Sequence, residues 1–137
     1  MKQLTVDALV ENIETVLDFL HEQPELEDCS PKQSFQIDLA VDEWITNVSS
    51  YAYPGRTGKL TVTYEYRVEE ETAVITVEDT GVPFDPLTDA REPDLTASVE
   101  DREIGGLGIF LVRKNMDSVE YQYRDGANRI TMKKKLG

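Results

Sequence analysis

Residues that build metal centres and disulfide frameworks are nearly missing from this sequence. It has one cysteine, Cys29, and one histidine, His21, in 137 residues. A lone cysteine makes no internal disulfide. One cysteine with one histidine also excludes a Cys/His zinc cluster, and any Ser-His-Asp triad built on another histidine. No run of about 18 apolar residues occurs, so no membrane span is expected. The N-terminus, MKQLTVDALVEN, carries acidic residues where a secretory signal would need an apolar block. The expected location is therefore the cytoplasm. Basic residues are scarce: 14 Lys and Arg stand against 27 Asp and Glu, for a formal charge of −13. Such a surface repels phosphate backbones and argues against direct nucleic-acid binding. It suits partners with a basic face, although solubility alone accounts for many acidic surfaces.

What is present has the composition of a globular domain. Hydrophobic residues make up 39% and charged residues 30%. A chain of this length buries roughly 68% of the surface it exposes unfolded. One domain over residues 1–137 is expected. The opening LTV is β-branched, and Asp7 behind it is a candidate helix N-cap. Leu9, Ile13, Val16, Leu17 and Leu20 then recur at helical spacing, up to a stop before Pro24. PELEDCSP, polar with a proline at each end, reads as a loop. A second helix is expected from about Ser34 to Tyr51. Ile37, Val41, Trp44 and Val48 form its apolar stripe, and Phe35, Ala40 and Ile45 widen it.

Beyond the turn PGRTG, KLTVTYEYRV alternates strictly and TAVITVED reads as its hairpin partner. From Gly81 to about Ile104 the periodicity dissolves into prolines and acids, a loop long enough to be a functional lid. GGLGIFLVRKNMD restores helical spacing. SVEYQYRD and NRITMKKKL close the chain as strands joined at DGAN. Helices on one face of mostly antiparallel strands give an α+β fold, a two-layer sandwich.

Three stations carry chemistry. Glu43 and Asn47 stand one helical turn apart, about 40° around the helix, on one shoulder of the apolar stripe. A carboxylate and an amide oxygen there can orient a nucleophile and hold a divalent ion; taken alone they are ordinary polar residues flanking a core. Asp79 ends a strand and begins DTGVPFD. Its carboxylate can accept from an exocyclic amine, and Gly81 lets a planar ring approach the backbone. The same residues also make a tight turn. Gly105, Gly106 and Gly108 open a helix, where exposed N–H groups and the helix dipole favour an anion. The alternative is a hinge for the lid. No P-loop or dinucleotide spacing accompanies them.

Taken in order, E-x-x-x-N on a helix, D-x-G at a strand end, a long loop and a GGLG helix start resemble the GHKL ATP-binding fold. That fold is shared by histidine kinases, gyrase-type ATPases and anti-sigma-factor serine kinases. LAVDEWITNVSSYAY, VEDTGVPFDP, IGGLGIFLVRKNMD and NRITMKKKL are most similar to the stand-alone anti-sigma regulatory factors. The resemblance runs from about residue 4 to the C-terminus. It implies a mixed, mostly antiparallel sheet with an ATP lid, and ATP and Mg²⁺ as the groups bound. Asn47 would ligate Mg²⁺ and Glu43 would be the general base. Asp79 would take the adenine amine, with Gly81 giving the ring room. Gly105, Gly106 and Gly108 would wrap the phosphates, Arg102 in the lid would assist, and Thr131 in the closing strand would support the adenine.

The partners implied are a sigma factor and an anti-sigma antagonist, which such kinases phosphorylate; dimers are common in the family. One departure stands out. Tyr51 occupies a position where many relatives carry a basic residue or histidine. A nucleotide-sensing module with little or no phosphoryl transfer is the competing reading. Trp44 is assigned to core packing, His21 to a solvated or C-terminal capping role at the helix end, Cys29 to a free thiol and the lysine run at 133–135 to a solvated strand end.

Overall fold

The computed structural model describes residues 1–83 and 106–137, the side chains of 106–108 excepted. Residues 84–105, which hold the rest of the lid stretch with Arg102 and Gly105, lie outside the described residues. Five strands form one sheet: β1 (Lys2–Asp7), β2 (Lys59–Arg67), β3 (Thr72–Asp79), β4 (Ser118–Arg124) and β5 (Ala127–Lys135). Their spatial order is β1-β2-β3-β5-β4, and all four ladders are antiparallel. The sheet and its helices bear out the α+β architecture expected from the sequence.

Alternation decides which side of the sheet is covered. Leu60, Val62 and Tyr64 on β2, Ala73, Ile75 and Val77 on β3, and Ile130 and Met132 on β5 are buried in one core. Against them lie α1 (Ile13–His21), α3 (Pro31–Tyr51) and α4 (Gly106–Asn115), through residues such as Val16, Leu20, Val41, Ile45 and Val112. α3 also packs along α4, which brings the E-x-x-x-N helix beside the one that starts at the glycines.

Several local expectations are corrected. Asp7 caps no helix. It ends β1, its side chain pairs with Lys59 at 2.8 Å, and a 3₁₀ turn over Val10–Asn12 leads into α1. PELEDCSP is not all loop, because Pro24–Asp28 forms a short helix, α2. Proline suits its first turn, where the missing N–H would have no partner, and buried Leu26 holds the turn to the core. α3 begins earlier than Ser34. Ser30 accepts from the Gln33 N–H while the Gln33 side chain accepts from the Ser30 N–H, a complete capping box.

Three side chains also depart from their expected settings. Phe35 lies off the stripe, 65% exposed. His21 is not merely solvated, since its Nε2 meets Asp38 of α3 at 2.8 Å. Lys134 is buried, and its Nζ donates to the Asn115 carbonyl at the C-terminus of α4 at 2.7 Å. Alternation turns this middle lysine of the run inward and leaves its neighbours outside.

Candidate functional site

The C-terminal half of α3 forms one wall of a cavity of about 120 Å³. Trp44, Asn47, Val48 and Tyr51 follow one another along that wall at helical spacing, and Ala52 ends it. The opposite side comes from the end of β3 and the turn after it, through Asp79, Val82 and Pro83, with Asn128 from β5. The lining is therefore largely apolar, with one carboxyl and two amides.

Asp79 is 4% exposed. Its Oδ1 accepts from the Gly81 N–H at 2.9 Å and from Asn128 Nδ2 at 3.0 Å. Both bonds fall on Oδ1, which leaves Oδ2 for a donor on a ligand. Burial pushes the carboxyl above the usual carboxylate range, and the Asn128 and Gly81 bonds pull the other way. Asn128 is itself fixed: Nδ2 also donates to the Val82 carbonyl at 3.0 Å, and Oδ1 accepts from the Tyr121 hydroxyl.

Gly81 works through backbone contact. A Cβ there would come within 2.2 Å of the Ala52 carbonyl oxygen. The next residue, Val82, donates its N–H to that same oxygen at 2.8 Å. The close approach that glycine permits is thus to the end of α3, and it sets the cavity's width. Tyr53 braces the same corner, donating to the Lys59 carbonyl at 2.6 Å and accepting from the Thr80 N–H at 2.9 Å.

Asn47 is buried and lines the cavity. Glu43, one turn earlier, is half-buried and does not line it. Burial raises its pKa, and Asp42 beside it adds to the rise. Gly106 and Gly108 lie in the first turn of α4. Thr131 is a correction: it faces away from the site. It stands between Thr76 of β3 and Glu120 of β4, on the uncovered side of the sheet. It lies three positions along β5 from Asn128, and an odd step along a strand reverses the face. Thr131 was expected to support the adenine, whereas the β5 residue that reaches Asp79 is Asn128. Its signal was a polar residue in phase with buried Ile130 and Met132.

Residues 6–134 match the histidine kinase-like ATPase domain. The chain belongs to that family. Within it, the chain stands in the branch of serine/threonine-protein kinases. It is 34% identical over 104 residues to the serine/threonine-protein kinase BtrW of Bordetella bronchiseptica, covering 75% of this chain and 71% of that one. It is 37% identical over 101 residues to an anti-sigma F factor of Clostridium perfringens, with 73% and 71% covered. The serine-protein kinase RsbW of Listeria monocytogenes shares 36% over 99 residues; the match spans 69% of this chain and 62% of that kinase.

Among solved structures, the RsbU and RsbW domains of a Mycobacterium tuberculosis protein superpose with a TM-score of 0.63 at 13% identity. That match covers 99% of this chain and 33% of the other. A blue-light activated histidine kinase of Erythrobacter litoralis gives 0.61 at 17% identity, over 93% of this chain and 40% of the kinase. Both likenesses speak for the histidine kinase-like fold. Among the described residues no helix is long and apolar enough to cross a membrane.

Proposed function

We propose that this chain is a single ATP-binding domain acting as an ATP- and Mg²⁺-dependent serine/threonine kinase. In this reading it holds a sigma factor in the cytoplasm and phosphorylates an anti-sigma antagonist, which resets a partner switch. The observation that carries the reading is Asp79: a buried carboxyl with one oxygen braced by Asn128 and Gly81 and the other left for a donor. An adenine amine is such a donor, and the apolar walls around it suit a planar base. The kinases and the anti-sigma factor among the relatives support the same reading.

The donor set fits the groups invoked. Asn47 offers a hard amide oxygen to Mg²⁺, and Gly105, Gly106 and Gly108 would turn N–H groups toward phosphate, assisted by Arg102. Among the described residues no three His, Cys, Asp or Glu side chains gather into a metal cluster. That suits an ion carried in by phosphates rather than caged by protein. Glu43 would take the proton of the antagonist's serine or threonine hydroxyl. The freed oxygen bonds to the γ-phosphorus as the bond to the β–γ bridging oxygen breaks, and ADP departs.

Titration calorimetry with ATP, with and without Mg²⁺, followed by transfer of labelled γ-phosphate to the cognate antagonist, tests the proposal. Saturable Mg²⁺-dependent binding and a labelled antagonist are expected. Binding without transfer would favour the nucleotide-sensing module. Tyr51 speaks for that second reading, because it places an uncharged phenol on the cavity wall where the family resemblance implies a basic residue or histidine.

A further inference from the structure

Among the described residues, one buried side-chain polar atom has no hydrogen-bond partner: the indole nitrogen of Trp44. Trp44 is 4% exposed and lines the same cavity as Asp79 and Asn128. Folded proteins pair nearly all such donors, and an unpaired one costs the full desolvation of its N–H. A phenylalanine or leucine would wall an apolar cavity without that cost. The indole is explained if its acceptor arrives with whatever fills the cavity.

We propose that Trp44 is a further nucleotide-binding residue, its indole N–H donating to the nucleoside half of the bound nucleotide. This rests on the nucleotide-binding reading above. The nucleoside is favoured because Trp44 shares its largely apolar cavity with Asp79, the residue assigned to the adenine amine; Asn47 on the same wall is assigned to the metal, and the phosphates to the glycines at the start of α4. One acceptor and one donor would then meet the base. Asp79 accepts from its amine and Trp44 donates to an acceptor of the nucleoside. A base with the reversed pattern would meet a carboxylate and an N–H in the wrong places, so Trp44 also acts in base selection.

The chain has a single tryptophan, so its emission reports on this residue alone. Two replacements separate the N–H from the ring: Trp44→Phe, and benzothienylalanine at position 44, which keeps the bicyclic shape and puts sulfur where the N–H was. ATP, adenosine and GTP are titrated by calorimetry, with thermal unfolding of the nucleotide-free proteins alongside. In the wild type, Trp44 emission should change along the calorimetric ATP isotherm. The benzothienyl protein should bind ATP and adenosine about 5- to 20-fold more weakly, the loss of one buried hydrogen bond. Its nucleotide-free Tm should be unchanged or higher, as loss of an unpaired buried donor requires, so the weaker binding is not a folding defect, and its preference for ATP over GTP should narrow.

Unchanged ATP affinity in the benzothienyl protein would overturn the role of Trp44 and leave the nucleotide site standing. A loss for ATP but not for adenosine would overturn the nucleoside assignment. If the wild type binds no nucleotide, the proposal falls together with the reading beneath it. Should Trp44→Phe fail to fold, the benzothienyl replacement decides alone.

Discussion

At Asp79, stability and function pull in opposite directions. The carboxyl is buried and its pKa is raised, so the folded protein holds that proton more tightly than the unfolded chain does. Its favourable contribution is complete below the unfolded pKa and is lost as the pH rises through the folded one. Asp79→Asn removes the ionisation while its amide oxygen can still accept from Gly81 and Asn128. The nucleotide-free variant should therefore match or exceed the wild type in Tm at neutral pH, with a flatter pH dependence on the acid side. Its ATP affinity should drop by about 1–3 kcal/mol, because an N–H can now face the adenine amine. Calorimetry and pH-resolved melting read the two effects separately, and undiminished affinity would remove Asp79 from the base site.

Glu43 has the complementary signature. Burial and Asp42 raise its pKa, which strengthens it as a base while keeping it ionised only above that value. Glu43→Gln should bind ATP nearly normally and transfer phosphate about 10²–10⁴-fold more slowly. In the wild type the transfer rate should fall on acidification through the raised Glu43 pKa, and the variant should lose that acid limb. Initial rates across pH make the comparison; equal rates for variant and wild type would take the base role from Glu43.

Among elements, the junction between α3 and the end of β3 governs the site. The carbonyl of Ala52, the residue that caps the C-terminus of α3, receives the Val82 N–H and sits where a side chain at position 81 would begin. Gly81→Ala must push the turn off α3, since backbone lies 2.2 Å from the added carbon and cannot swing aside as a side-chain tip could. The expected cost is about 1–3 kcal/mol in unfolding free energy, with a loss of nucleotide affinity because Asp79 shifts against Asn47. Urea denaturation and ATP titration of the variant measure both. A variant with wild-type stability would show that the turn has slack. The far end of α3 is secured by the Ser30–Gln33 capping box, so the helix that carries Glu43 and Asn47 is fixed at both ends.

For the whole molecule, the charge of −13 is the property that a partner meets first. If a sigma factor presents a basic face, association should be electrostatically steered, with a rate that falls roughly 10-fold or more between low and moderately high salt. Dissociation should change much less over the same range. Stopped-flow mixing of the two proteins across ionic strength gives the answer, and a salt-independent association rate would assign the acidic surface to solubility alone.

Periodicity is local, and what it controls was legible in the residues themselves. The alternation from Leu60 to Tyr66 and the helical stripe from Ile37 to Val48 each fix a face without reference to any other part of the chain. The same holds for the E-x-x-x-N spacing and the strand ending in Asp79. Other features depend on which segment lies opposite. Alternation along NRITMKKKL sets Asn128 in phase with Ile130 and Met132 and Thr131 out of phase, but only the register across β3 and β5 puts Asn128 beside Asp79. Packing likewise made Pro24–Asp28 a helix where its composition read as loop, because Leu26 found a buried place. It also put Trp44 in two roles at once, core residue and cavity wall. A stripe of apolar residues specifies burial but leaves open whether the facing volume is filled by protein, and that is decided only when the strands and helices close around it.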